Sequence, residues 1–515
     1  MDAVVPDVGA AGVGRRGADS SVGRDVVIVG GGAAGTSVLV QLVDALSRAS
    51  VSGGAGARAV RSVRVVDPRP MGWGLAFGDS DPLLMCNSAV DLNSVRARRP
   101  RDFEDHLRQR GWTGRAEECV PRSWMADYCH ARSAEARARA AAHGVDVDRL
   151  SATARALEVR ADGYRVLLSD GRSVPADDVV ICTGVRRPRV PDGFAAWQDH
   201  PRYLDSPYPS TRLREALGRR PRRVLVLGTH QSAVDAALLL CRDGHQTTLT
   251  SPSGQLPAVR TALAAPPHAL PALERVADLD PADPLLGDRL LRHTVEAVRS
   301  VSPLPWRRQT STAADPVRRL REETALAEAG ACHWARVCAP LIDAAIALGG
   351  TLSDGRRRAL MARFAPFVNR YVTALALVNA RRLVAHCDAG RLRVAAGYPR
   401  AVSYAGGRWR VRWPDSTVRE YDHVVNATGF HPPQPYWDGA TNTLHLESPP
   451  ASATALDHLA ADLHVRAAPD AAPERVWIVG VGTHLRIPFA NHLNNVVRQA
   501  DEVVGHLLRT PNSPM

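Results

Sequence analysis

Asp25-Val26-Val27-Ile28-Val29-Gly30-Gly31-Gly32-Ala33-Ala34-Gly35 is a strand of buried type running straight into a glycine-rich turn. Val26 to Val29 have the unbroken, β-branched apolar character of a strand covered on both faces. Ala33 through Leu46 then read as a helix. Gly30, Gly32 and Gly35 supply a G-x-G-x-x-G spacing in the setting that motif requires, with a strand before it and a helix after it. Gly30 permits the tight turn, Gly32 lets the backbone approach a pyrophosphate, and Gly35 lets helix and strand pack closely. Ala33 and Ala34 open the helix, whose N-terminus faces the anion. The next strand, Val63–Val66, ends in Asp67, an acid placed to accept hydrogen bonds from an adenosine ribose. The Gly/Ser/Ala segment Ser50–Ala59 between them reads as an inserted loop.

A second turn of the same kind follows the strand Val224–Leu227: Gly228-Thr229-His230-Gln231-Ser232-Ala233. Ala233 is an accepted substitute for the third glycine, but His230 occupies the position where glycine lets a pyrophosphate come close. The following strand, Thr247–Thr250, carries no acid at its end. It runs into Ser251-Pro252-Ser253-Gly254-Gln255, with Arg260 beyond. Hydroxyls and an arginine suit a ribose 2′-phosphate, so NADPH is expected here over NADH, held by Gly228, Gln231, Ser232, Ser251 and Arg260. Two dinucleotides on one chain imply electron transfer between them.

Composition bounds the remaining possibilities. At 515 residues with 45% hydrophobic content, the chain is long enough for two or three packed subdomains. The net charge of +12 is all arginine, since no lysine occurs, a bias of the kind a GC-rich genome imposes. These arginines are spread along the chain without a stripe of interleaved aromatics, so no nucleic-acid partner is expected. No apolar run is long enough to span a membrane. Residues 1–23 lack the apolar core of a signal peptide and read as a flexible arm, so the expected location is the cytoplasm. The 8 cysteines form no C-x-x-C pair and no zinc-type cluster, which points to free thiols, argues against a disulfide reductase and predicts no metal.

After the first turn come Gly72-Trp73-Gly74-Leu75-Ala76-Phe77-Gly78, then Leu83-Leu84-Met85-Cys86-Asn87, then Val120-Pro121-Arg122. In these segments and their order the chain resembles bacterial FAD/NAD(P)-binding flavoproteins. Gln231-Ser232-Ala233 and Ala427-Thr428-Gly429-Phe430 resemble the corresponding segments of flavin-dependent N-hydroxylating monooxygenases. The resemblance runs from about Asp25 to Leu508. It implies FAD at the first turn, with Asn87 and the loop Gly72–Gly78 along the flavin. Two strands end in Thr-Gly, at Gly184 and Gly429, and both are expected to border the FAD. The last strand, Arg475–Val479, leads to Gly482 and Thr483, expected beside the flavin pyrimidine at the start of the final helix.

The expected fold class is α/β, with two Rossmann-like dinucleotide-binding domains, a discontinuous FAD domain and a helical insertion. The expected boundaries are 24–215 for the first part of the FAD domain, 216–265 for the NADPH domain, 266–385 for the insertion and 386–510 for the FAD return. Asn369 and Arg370, in the insertion, are candidates to bind a substrate carboxylate. The resemblance implies an enzyme in which NADPH reduces FAD and the reduced flavin, having taken up oxygen, oxygenates an amine nitrogen of a small amino acid or related amine. It also implies a place in secondary metabolism, including antibiotic biosynthesis, and the relatives include aspartate-type N-monooxygenases. An oxidase or dehydrogenase without oxygen insertion, and a non-catalytic FAD-binding protein, stay open. Self-association and the catalytic residues are left unspecified by the sequence. No Phe-x-Gly-x-x-x-His segment of the Baeyer–Villiger type is present.

Overall fold

The computed structural model describes residues 23–51, 60–185, 187–264, 266, 268–450, 452–456, 459–468 and 471–509. The arm expected over 1–23 therefore lies, except for Gly23, outside the described residues. So do residues 52–59 of the expected inserted loop, the first-turn helix itself extending to Val51.

Arg24–Val29 is the centre of a five-stranded parallel sheet. Val60–Val66 pairs on one side of it and Asp178–Ile181 on the other, with Asp146–Leu150 and Val476–Ile478 at the two edges. Val26, Val27 and Ile28 are wholly buried, as an apolar run in a sheet covered on both faces requires. The helices Ala33–Val51, Arg122–Ala142 and Leu493–Leu508 cover one face. An antiparallel sheet built from Ala154–Arg160, Gly163–Leu168, Ser173–Ala176, Tyr436–Asp438 and Thr443–His445 shares the same hydrophobic core.

Arg223–Leu227 is the centre of a second five-stranded parallel sheet, flanked by Gln246–Ser251 and His423–Asn426, with Leu392–Ala396 and Tyr203–Leu204 outermost. One face packs on the helices Gln231–Arg242 and Leu377–Asp388, and the other on the antiparallel strands Ala401–Ala405, Arg408–Arg412 and Val418–Tyr421, where Trp409 and Trp413 are buried. Between Ser251 and Leu377 the chain leaves this sheet as a helical insertion comprising Leu286–Val301, Pro316–Glu328, Ala335–Thr351 and Asp354–Phe367. Its neck is a two-stranded parallel ribbon, Val259–Arg260 with Leu375–Ala376.

This pairing corrects the expected boundaries. Residues 392–426, expected in the FAD return, form strands of the second domain, and the chain rejoins the first domain only from Tyr436 onward. The reason is physical: a strand ending in a small residue followed by Thr-Gly is used once by each sheet, and only long-range pairing tells which. Among the described residues, no helix is long and apolar enough to cross a membrane, and no group of His, Cys, Asp or Glu is arranged to hold a metal ion.

Candidate functional site

The first turn has the shape its glycines predict. Gly30 has φ of 106°, and a Cβ there would lie 2.7 Å from the Cys182 carbonyl oxygen. A Cβ on Gly35 would overlap the Gly30 carbonyl oxygen. A Cβ on Gly32 meets nothing closer than the Gly74 Cα, at 3.7 Å. Gly32 is thus dispensable to the packing and opens toward the loop Gly72–Gly78, whose Gly72 N–H donates to the Gly31 carbonyl at 2.7 Å. The helix that starts at Ala33 and Ala34 has no acidic residue in its first turn, leaving its positive end to an anion.

Asp67 is buried at the end of its strand, accepting from Gly31 N–H at 2.7 Å and from Arg69 N–H at 2.8 Å. Each carboxylate oxygen keeps a second lone pair, which suits a ribose hydroxyl. The last strand brings Gly480 against this turn, so that a Cβ there would lie 3.3 Å from Ala34 Cβ. Thr483 is buried, donating to the Gly480 carbonyl and accepting from Gln499 Nε2, while Gln499 Oε1 takes the Gly480 N–H. Gly482 packs against Ile478, with no room for a Cβ. Thr483 and Gly482 therefore build the turn that the last helix pins against the first cradle. Asn87 is half-buried beside Ser88, which bridges to Leu263 of the second domain, so it stands at the seam between domains. Gly184 is exposed just past the first sheet.

The second turn repeats the first. Gly228 has φ of 121°, with a Cβ position 2.5 Å from the Ala427 carbonyl oxygen, and its N–H donates to Thr250. Ala427-Thr428-Gly429 is to this turn what Cys182-Thr183-Gly184 is to the first. Gly429 accordingly sits at the end of the second sheet and not, like Gly184, at the end of the first. Asn426 and Thr428 both donate to the Arg189 carbonyl, fastening this strand end to the crossover between domains. His230 has φ of −92°, open to any residue, so the missing glycine strains nothing. Gln231 Nε2 donates to the carbonyls of Thr373 and Ala374, bracing the insertion's neck, while Ser232 stays half-exposed in the first turn of the helix. Thr229 donates to the Gln255 carbonyl at 2.7 Å and its hydroxyl lies 3.1 Å from Ser251 Oγ, which accepts from Gly254 N–H.

Three further expected residues belong to the insertion and its neck. Arg260 is wholly buried at the insertion's neck, out of reach of a phosphate at the strand end. Arg370 donates to the Leu256 carbonyl and is ion-paired with buried Glu323, so its charge is already used. Asn369 is exposed on the π-helical turn Val368–Val372. What the sequence did not reveal is Arg319, from the insertion helix Pro316–Glu328, which lines one small cleft with Ser253 and Gln255 beyond the strand end of the second sheet. Its Nη1 donates to Gln255 Oε1 and its Nε to the Ala313 carbonyl, both at 2.6 Å.

The two domains are clasped by buried polar groups. Arg122, opening its helix in the first domain, pairs with Asp235 of the second at 2.8 Å, and Asp235 also takes the Tyr208 hydroxyl. Burial opposes the Arg122 charge, but Asp235 and Tyr208 outweigh it and hold its pKa above the usual guanidinium value. Asp79 accepts from Ser210 N–H and Oγ, and Asp81 pairs with Arg242.

Residues 27–186 match the model of a family described as FAD-NAD(P)-binding. No curated protein matches the chain. Among solved structures, it is similar to the reduced form of ornithine hydroxylase from Pseudomonas aeruginosa, at 14% identity and a TM-score of 0.55, over 95% of this chain and 99% of that one. It is also similar to L-lysine 6-monooxygenase from Pseudomonas syringae, at 16% identity and a TM-score of 0.50, over 94% and 99%. At these identities the likeness is one of fold, and the fold is that of the two-domain flavoproteins, with one Rossmann-like sheet for each dinucleotide.

Proposed function

We propose that this chain is an FAD- and NADPH-dependent monooxygenase that places oxygen on the nitrogen of a small amino acid or related amine. The observation that carries the reading is the repeated cradle: two parallel sheets in one chain, each with a positive-φ glycine locked under a small-Thr-Gly strand end. The likeness in fold to ornithine and lysine hydroxylases along nearly the whole chain favours oxygen transfer to nitrogen among the chemistries such a pair of cradles serves. A role in secondary metabolism is part of the same reading.

In this reading Gly30, Gly32 and Gly35 admit the FAD pyrophosphate, the helix N-terminus at Ala33 and Ala34 balances its charge, and Asp67 takes the ribose. Gly228 and the helix from Gln231 do the same for NADPH, with Ser253, Gln255 and Arg319 holding the 2′-phosphate in place of Arg260. Bound FAD supplies the electron transfer and oxygen chemistry; the protein orients the partners and excludes water. Arg122, Asp235 and Tyr208 hold the two cradles in register.

The test is NADPH oxidation in air, followed at 340 nm with aspartate, ornithine, lysine and simple amines in turn. Substrate-stimulated oxidation with a hydroxylated or nitro product supports the reading. Flavin bleached by substrate without NADPH identifies an oxidase or dehydrogenase, and a yellow protein inert to both identifies a binding protein.

A further inference from the structure

Among the described residues, Arg96, Arg132, Arg260 and Arg357 are the arginines with less than a tenth of their surface exposed. Arg96 pairs with Asp44 and Asp102, Arg132 with Asp102 and Glu135, and Arg357 with Asp354. Arg260, 0% exposed, has no carboxylate partner among the described residues. Its Nη1 donates to the carbonyl oxygens of Val372, at 3.0 Å, and Tyr371, at 3.4 Å. Its Nε and Nη2 donate to no nitrogen or oxygen, the buried Cys338 thiol being the hydrogen-bonding side chain beside them. These two nitrogens form the edge with which a guanidinium grips a carboxylate side-on, through two parallel N–H···O bonds.

The ionisable groups around it are the thiols of Cys338, Cys119 and Cys332. Burial pushes Cys338 and Cys119 up to about 11, so near neutral pH neither supplies a negative charge. A buried cation without an anion is strongly unfavourable, and Arg96, Arg132 and Arg357 show how this fold otherwise avoids that arrangement. The place is also telling. Cys119, half-buried, comes from the first domain, Arg260 from the neck of the second, and His492 from the start of the last helix, where the Arg260 charge adds to burial in lowering the imidazole pKa. Asp343, which also faces His492, is paired with Arg498. His492 Nδ1 is unpartnered, as is Nδ2 of Asn495, 3% exposed and three residues further along the same helix.

We propose that the free edge of Arg260 is the carboxylate anchor of the substrate site, so that the substrates are amines bearing a carboxylate and simple amines are excluded. This rests on the reading of the chain as an amine-oxidising enzyme, but the anchor is tested without turnover. The flavin-loaded protein, without NADPH, is titrated with L-aspartate, L-ornithine, L-lysine and succinate, and with putrescine and cadaverine, which keep the amines but lack the carboxylate. Thermal midpoint and flavin absorbance are recorded. At least one carboxylate is expected to raise the midpoint and perturb the flavin band, and the diamines to do neither.

In Arg260→Gln the carboxylate affinity is expected to fall about 100-fold, with flavin content and NADPH affinity unchanged. Arg260→Met, which removes the unpaired charge, is expected to leave the ligand-free midpoint equal or higher, whereas a purely structural arginine would lower it. Arg260→Lys, which keeps the charge without the fork, covers the case in which the glutamine variant does not fold, and a loss of carboxylate affinity at retained midpoint supports the anchor. Carboxylate affinity equal to wild type in Arg260→Lys and Arg260→Gln, a midpoint lowered in Arg260→Met, or diamines binding as well as amino acids would overturn the proposal. A carboxylate response that depends on Arg260 in a protein that oxidises no amine would leave the anchor standing and remove the monooxygenase reading alone.

Discussion

Glycines that share a motif do different work, and the difference is measurable. Gly35→Ala puts a methyl onto the Gly30 carbonyl, so the first domain itself should lose stability and soluble yield. Gly32→Val meets only open space up to Gly74, so the variant should fold with an unchanged circular-dichroism spectrum yet purify without flavin, because its side chain fills the pyrophosphate cradle. A yellow Gly32→Val protein with a normal flavin-to-protein ratio would remove the cradle from its proposed role. At this scale the glycines were legible, since the backbone turn dictates them. The arginines were not: Arg260 and Arg370 look alike in the sequence, and only the two-residue ribbon at the neck and Glu323 in a later helix determine which charge is left free.

Between elements, the strand end Gln246–Ser251 is completed by a residue of the insertion. Arg319→Ala should raise the Kd for NADPH about 10- to 100-fold, the worth of a charge-assisted phosphate contact, and leave NADH binding unchanged. Equal losses for the two nucleotides, measured by fluorescence titration, would place the 2′-phosphate elsewhere. The strand His423–Asn426 carries its own titration. Burial, helped by Arg202 and Arg222 and by His245 against the opposing pull of Asp422, lowers His423 to about 4. The folded state thus disfavours the protonated form. Stability from this group is complete above the unfolded pKa near 6.5 and is lost as pH falls through that value toward 4, by about 3 kcal/mol in all. His423→Gln should flatten that part of the stability-versus-pH curve in urea unfolding, and a slope equal to wild type would assign the acid sensitivity to another group. Sequence pattern located this strand and its Thr-Gly end, but not its sheet, because pairing with Arg223–Leu227 spans nearly two hundred residues of chain and leaves no local mark.

Across the whole molecule, the two cradles serve one reaction only if the domains hold a fixed relation, and both buried ion pairs and apolar contacts lie at the seam between them. The fold class and both cradles were readable from the chain because strand, glycine turn and helix are contiguous. The clasp was not, since Arg122, Tyr208 and Asp235 are far apart in sequence and meet only at the seam. Removing one partner leaves a buried charge unpaired, so Asp235→Ala should cost about 3 to 5 kcal/mol, far more than loss of an exposed pair. Because the pair joins the domains, that loss should also appear as separated unfolding transitions when urea melts are followed by flavin fluorescence and by far-ultraviolet circular dichroism. Replacing both Arg122 and Asp235 with leucine removes the unpaired charge and should recover most of the lost stability, while NADPH oxidation stays slow because the polar register is gone. If Asp235→Ala unfolds in one coincident transition at wild-type stability, the domains are held by their apolar contacts, and the clasp has no part in setting the distance between the two cofactors.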